Sequence, residues 1–284
     1  MFGSNKCSTS VTGKPKHYIR NEVVAFEEDQ THEFKGHRNI SVADVPPWCI
    51  NASNNTSTRK AISRNLCGFL NTGCGGTVYI GILDGGRVQG VRLTRYQQDH
   101  LLLSLQDAMN AFRPPVPRFM YTTEFVPVLE PGDEYPYQFL PVSEKVRAQP
   151  HYLRSHLFCW CDYDALGSFN GGVIPMSYVV EISIIPIYRD DPWVRAFIPD
   201  CKIATNPIFQ CEDGQIYFRK QSTLVTQYSL RDVEQLAREE VLLYRMPQLM
   251  KAWKDMMTYR TLQQLVDEAL DQKKDNSCNE DQKK

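Results

Sequence analysis

The stretch Phe69-Leu-Asn-Thr-Gly-Cys-Gly-Gly-Thr-Val-Tyr-Ile-Gly-Ile82 joins the end of an amphipathic helix to a run of β-forming residues. Apolar side chains at helical spacing predict a helix over residues 58–71, and the glycines that follow suit a tight turn. The run 77–82 is typical of a buried strand. Asp84-Gly85-Gly86 then predicts a hairpin turn that leads into the returning segment 88–91.

The residues before this unit predict two short strands, 21–26 and 31–35, which are broken at Asp29-Gln30. Side chains alternate between the two faces of a strand, so Phe34 points away from both of its neighbours. We therefore expect Phe34 in the core and its charged neighbours on the opposite face.

The residues after this unit predict a second amphipathic helix over 95–112, which ends at Pro114-Pro115. Two runs of β-formers follow, 119–128 and 178–187, and they are plausible partners in one sheet. A long irregular insert separates them, and its length indicates either function or disorder.

The overall charge gives no reason by itself to expect a nucleic acid partner. Lys and Arg total 32 against 33 for Asp and Glu, so the formal net charge is -1. Any basic surface that binds phosphates must therefore be local.

The cysteines and the apolar runs predict a cytoplasmic or nuclear protein that is not secreted. The nine cysteines are odd in number and scattered, which argues against a disulfide framework. The chain has no apolar run long enough for a membrane span, and residues 1–15 are polar where a signal peptide is apolar.

Three segments in this order resemble the AlbA_2 domain of the Schlafen family. Glu28-Asp-Gln-Thr-His-Glu-Phe-Lys35 is similar to the family's opening motif, in which one Glu precedes a Glu-Phe-Lys by five positions. The stretch 69–82 resembles its helix-turn-strand core, and Asp84 with 88–91 resembles the acidic turn and returning strand. The likeness covers about residues 22–93 and is thin, through Ile216-Tyr-Phe-Arg, beyond them.

The resemblance implies an α/β fold of the α+β type, with an AlbA_2-like mixed sheet, flanking helices and C-terminal helices. Two related lobes are an alternative to a single one. The expected organisation is a disordered tail over 1–18, a core lobe over 19–128, an irregular insert over 129–175, a second lobe with C-terminal helices over 176–271, and a disordered tail over 272–284.

The resemblance also implies an RNA-directed endonuclease that acts on tRNA, other structured RNA or small-RNA precursors through three carboxylates. Carried over residue by residue, it places that site at Glu28, Glu33 and Asp84. Some relatives are inactive or act only within multi-subunit assemblies, so the alternative is a non-catalytic RNA-binding or scaffolding subunit.

The chemistry of the three carboxylates explains what such a site would need. Convergent carboxylates hold Mg²⁺ or Mn²⁺, which prefer oxygen ligands, and without a cation they raise one another's pKa. Glu28 and Glu33 are five residues apart and need a turn or bulge between them to face the same way. Lys35 shares the face of Glu33 and would assist by holding a phosphate. Asp84 alone is equally what a tight turn selects.

A local basic patch could bind the phosphates of RNA despite the neutral total. The expected residues are Arg38, Arg59, Lys60, Arg64, Arg219 and Lys220. The alternative for those in the first helix is an ordinary solvated face. The chain lacks the Gly-Lys-Ser/Thr ending of a phosphate loop, so we expect no ATP site.

A weak zinc motif lies in the insert. Its candidate ligands are His156, Cys159 and Cys161, with Cys201 or Cys211 as a distant fourth. The alternative is that these cysteines pack as small apolar residues. Where Schlafen nucleases carry a zinc site, this chain has Arg118-Phe-Met and Pro186-Ile-Tyr, so that site is absent or rebuilt.

The C-terminal segments 229–245 and 247–270 predict two helices with more apolar surface than the end of a small domain needs. Most of this surface is expected in the core. An exposed remainder would indicate a homodimer or docking to another Schlafen-like subunit.

Overall fold

The computed structural model describes residues 16–51, 56–133, 149–186, 208–226 and 246–281. The chain divides into two compact units, Met1–Thr226 and Gln227–Lys284. The first unit holds the mixed sheet and its helices, and the second holds a single described helix. The predicted helix 229–245 lies outside the described residues.

The elements follow one another in a mixed α and β order. They are β1 (Tyr18–Ile19), β2 (His32–Lys35), β3 (Ile50–Asn51), β4 (Thr56–Ser57), α1 (Ile62–Thr72), β5 (Gly76–Ile80), β6 (Val91–Arg92), α2 (Arg95–Ala111), β7 (Tyr121–Leu129), α3 (Trp160–Asn170), β8 (Ser177–Ile184), β9 (Phe218–Lys220), β10 (Thr223–Val225) and α4 (Met246–Asp281).

The main sheet has the strand order β1-β7-β8-β5-β2, and β6 pairs with β8 beside this path. The strands β7 and β8 are antiparallel partners over most of their length, from Tyr121 opposite Ile184 to Val128 opposite Ser177. The strands β2 and β5 run parallel, as do β1 and β7. The predicted α+β fold with a mixed sheet is therefore confirmed.

The core lies on both faces of the sheet because the side chains of β5 alternate. Val78 and Ile80 join the cluster formed with α1 and α2, whereas Tyr79 joins a smaller cluster on the other face. Phe34 belongs to that smaller cluster and is almost fully buried. Its predicted place in the core is confirmed, and the two-residue period of strands explains it.

The turn between α1 and β5 depends on glycine for two separate reasons. Gly73 ends α1 in the left-handed conformation, with φ 70°, which a side chain disfavours. At Gly76, φ is 154° and an added Cβ would lie 2.5 Å from ring carbons of Phe69. The strand can therefore pass this close to the buried Phe69 ring only without a side chain.

The helix α1 begins at Ile62, four residues after the predicted start at residue 58, and residues 56–57, just before the predicted helix, form β4. The backbone amides of Ile62 and Ser63 donate to the carbonyls of Asn39 and Ile40 at 3.0 and 2.9 Å. A distant loop thus caps the helix, which no local pattern reveals.

Other departures concern segments that were expected to be irregular or differently bounded. The segment 21–26 contributes a single bridge, between Val23 and Arg87, instead of a strand. The insert contains α3, and α4 extends to Asp281. In the part of the chain described, no helix is long and apolar enough to cross a membrane.

Replacing Gly76 with Ala tests the close approach between strand and helix. We expect Gly76→Ala to lower the free energy of unfolding by roughly 1–3 kcal/mol, because the new Cβ meets the Phe69 ring. Gly85 also has a positive φ, 84°, but an added Cβ there meets nothing within 4 Å. Urea unfolding of Gly76→Ala and Gly85→Ala should therefore separate the clash from the backbone strain, and equal losses would contradict the contact.

Candidate functional site

The parallel pairing of β2 with β5 brings two of the predicted acidic residues, Glu33 and Asp84, to one region of the sheet. Lys35 lies opposite Ile80, so the chain leaves both strands at the same edge. Asp84 follows β5 in the turn closed by hydrogen bonds between Leu83, Gly86 and Arg87, and it is exposed. The predicted hairpin turn is confirmed, and Asp84 stands beyond the end of β2.

A local turn carries Glu28 back toward β2. The Asp29 carboxylate accepts hydrogen bonds from the backbone amides of Thr31 and His32, at 2.6 and 2.8 Å. The Glu28 carboxylate then accepts a hydrogen bond from the Phe34 amide at 2.8 Å. This Asx turn supplies the reversal that the five-residue spacing required.

The Glu28 carboxyl group responds to its acidic neighbours. Burial raises the pKa of Glu28 above its ordinary value, and the negative charges of Glu33 and Asp84 raise this pKa further. The Phe34 amide and the Lys35 charge act in the opposite direction. The three predicted carboxylates therefore share one electrostatic neighbourhood, in which an added cation would be favourable.

Glu33 is the most constrained of the three carboxylates. Its side chain is 8% exposed, and Lys35 Nζ contacts Oε1 while Arg219 Nη1 lies 2.6 Å from Oε2. The contact with Arg219 is an ion pair without the alignment of a good hydrogen bond. Two cations therefore neutralise Glu33 in this arrangement.

Arg219 is wholly buried and cannot reach a nucleic acid at the surface, which corrects its predicted role in RNA binding. Its guanidinium donates to the backbone carbonyls of Asp29 and His32 at 2.6 and 2.8 Å. The same group lies over the Phe69 ring, 4.9 Å from its centre. Arg219 therefore ties β9 to α1 and to the turn before β2.

An open groove of about 470 Å³ lies beside this cluster. Its basic lining consists of Lys35, Arg59 and Lys60, and Asp84 forms an acidic point in its wall. Arg59 and Lys60 are exposed. Lys35 thus contacts the buried Glu33 and also lines the groove.

His37 lies in the same groove and reports its positive potential. Burial, followed by the charges of Lys35 and Arg59, lowers the pKa of His37 to about 4. The ring is therefore neutral at physiological pH. His37 lies two residues after Lys35 in the sequence, which hinted at a role in the site. The sequence pattern alone could not distinguish it from a surface histidine.

The other predicted basic residues are not gathered in the groove. Arg38 pairs with Asp162, and Arg64 pairs with Asp213 at 3.0 Å. Lys220 is exposed on β9 and does not line the groove. Of the predicted RNA-binding residues, the groove contains Arg59 and Lys60.

The structure brings together a different group of side chains from the predicted zinc candidates. Among the described residues, three or more potential ligand atoms come close together at His100, His151, Cys159 and Cys161, and not at the carboxylates. His156 is exposed and outside this group.

The predicted fourth ligands do not join the group either. Cys211 interacts with Cys67, and Cys201 lies outside the described residues. The predicted motif did not include His100 and His151, which are about 60 and 10 residues away from the cysteines.

A comparison with protein-family models matches residues 28–137 to the family described as Schlafen, AlbA_2. The matched range begins at Glu28 and includes β2, α1, β5 and the Asp84 turn. The resemblance predicted from the sequence is thus confirmed over this range, and it suggests a nucleic-acid-binding domain.

Removing the buried guanidinium tests its structural role. We expect Arg219→Met to lower the free energy of unfolding by roughly 3–5 kcal/mol, because two carbonyls and Glu33 lose their buried partner. The neighbouring Lys220→Met, on an exposed residue, should stay within about 0.5 kcal/mol of the parent. Similar losses for both variants in urea unfolding would refute the anchoring role.

The titration of His37 tests the positive potential of the groove. In an NMR titration, we expect the His37 ring to protonate with a pKa of about 4. Arg59→Ala should raise that pKa because it removes one of the positive charges, whereas Arg95→Ala, outside the groove lining, should leave it unchanged. A midpoint near the ordinary value of about 6.5 would rule out the potential inferred here.

Proposed function

Because residues 28–137 match the Schlafen AlbA_2 family, we propose that this chain binds RNA in the groove beside β2 and cleaves it there with a divalent cation. The observation that carries the proposal is the position of Lys35. One side chain lies against the acidic cluster through Glu33 and lines the basic groove.

The basic residues of the groove would bind the RNA backbone. Arg59 and Lys60 are exposed and offer charged donors to phosphate oxygens, which hold a strand without reading its sequence. Glu33 orients Lys35, whose ammonium group would hold the phosphate closest to the carboxylates. The acidic point at Asp84 would face that same phosphate.

The donor types of the cluster fit Mg²⁺ or Mn²⁺. Glu28 and Asp84 have no ion pair among the described residues. Burial and the charges of Glu33 and Asp84 raise the pKa of Glu28, and a cation bound by these carboxylates would relieve that repulsion. Glu33 would contribute an oxygen if Lys35 turned toward a bound phosphate. When bound, the cation would neutralise charge on the scissile phosphate and its leaving group.

A second candidate function is a non-catalytic RNA-binding or scaffolding subunit. The specific observation in its favour is that Glu33 is already neutralised by Lys35 and Arg219. The three carboxylates also form no close ligand group in the described chain. A domain of this kind would use the same groove without cutting.

One experiment separates the two functions. End-labelled tRNA and an unstructured RNA are incubated with the full chain in Mg²⁺, Mn²⁺ or EDTA, and both binding and cleavage are measured. We expect Glu28→Gln to reduce cleavage by roughly 100-fold or more while leaving binding intact. The matched control is Glu27→Gln, an exposed carboxylate one residue away.

The groove is tested in the same assay. Replacing both Arg59 and Lys60 with Ala should weaken binding of either RNA. It should also lower by about two the number of phosphate contacts that the salt dependence of binding indicates. Arg95→Ala is the control outside the groove lining. Binding without cleavage under any metal condition would replace the nuclease by the second candidate. Unchanged binding in the double variant would overturn both functions.

A further inference from the structure

A second constellation of chemistry lies away from the groove, between α2 and the start of α3. It combines His100 of α2, His151 of the loop before α3, Cys159 at the N-cap of α3, and Cys161 in the first turn of α3. One potential ligand atom from each residue lies within 4.8 Å of the others. We propose that these four side chains form a structural zinc site.

Two of the separations between the ligand atoms match tetrahedral coordination. Cys159 Sγ lies 3.5 Å from His151 Nδ1, and Cys161 Sγ lies 3.4 Å from His100 Nδ1. Zinc bonds of about 2.3 Å to sulfur and 2.0–2.1 Å to nitrogen imply nitrogen–sulfur separations of about 3.6 Å at tetrahedral angles. Two thiolates and two neutral imidazoles are a ligand set that zinc prefers over magnesium or calcium.

The surroundings of His151 and Cys159 resemble the outer contacts of zinc sites. His151 presents Nδ1 to the cluster, while its other nitrogen lies 3.4 Å from a carboxylate oxygen of Asp99. Such a carboxylate holds a ligating imidazole in the required orientation and tautomer. The backbone amide of Tyr152 donates to Cys159 Sγ at 3.4 Å, which further holds this sulfur in place.

Burial makes the site structural and not catalytic. Cys159 and Cys161 are 0% exposed, and the His151 side chain is 4% exposed. All four coordination positions are filled by protein atoms, so no position is open to substrate. The His151 ring also stacks on Trp160, with ring centres 4.9 Å apart, which further restricts its rotation.

A metal at this site would compensate for the poor apolar packing of α3. Cys161 is the one buried residue of this helix, whereas Tyr163, Leu166 and Phe169 are exposed. A helix with so little buried apolar surface gains little from packing alone. A metal that joins α3 to α2 would supply the missing attachment.

The first test measures metal content in the full chain purified without added zinc. Mass spectrometry of the metal should find about one zinc per chain, and Co²⁺ exchange should give the visible absorption of a tetrahedral site with thiolate ligands. Replacing both Cys159 and Cys161 with Ser should abolish both signals. The controls are Cys74→Ser, an exposed cysteine, and His156→Ala, an exposed histidine outside the cluster.

A pair of variants at His100 distinguishes the loss of a zinc ligand from the loss of zinc through misfolding. His100→Ala should lose the metal, whereas His100→Cys should keep it, because three cysteines and one histidine also form a zinc site. Zinc below about a tenth of the chain concentration in folded parent protein, with no Co²⁺ uptake, would overturn the proposal. Full zinc in the double Ser variant, or a parent mass lower by two hydrogens from a Cys159–Cys161 disulfide, would overturn it equally.

Discussion

The buried ion pair between Arg219 and Glu33 is the constraint on which the site depends. A buried charge is costly unless it is paired and hydrogen-bonded, and Arg219 meets this condition through Glu33 and two backbone carbonyls before and within β2. The same guanidinium lies over Phe69 of α1. It thereby sets the position of β2 relative to α1, and with it the direction in which Lys35 meets the groove.

Charge in this domain is separated over a short distance even though the whole chain is nearly neutral. Burial and mutual repulsion raise the pKa of Glu28, while burial and the charges of Lys35 and Arg59 lower the pKa of His37. The two shifts describe an acidic cluster beside a basic groove. Such an arrangement suits an anionic polymer that must approach carboxylates, because the basic wall offsets their repulsion.

The two regions of interest differ in the kind of support that the fold gives them. The acidic cluster and groove lie at β2, the turn after β5 and the segment before α1; α1 and β5 pack into the larger core cluster, and Phe34 of β2 packs into the smaller one. The cysteine and histidine cluster stands at α3, which contributes one buried residue. A metal there would act on stability, whereas a metal at the carboxylates would act on chemistry. The two inferences can therefore fail separately.

The sequence by itself predicted the helix-turn-strand unit and the two β runs that form β7 and β8, because these depend on local periodicity and turn chemistry. The Glu28 and Glu33 motif came from the resemblance to a family. Only the tertiary structure decided that Arg219 is an internal anchor and that His100 and His151 stand beside Cys159. Residues far apart in the chain become neighbours through packing. The sequence does not reveal whether an arginine or a histidine side chain lies in solvent or in the core, because packing decides it.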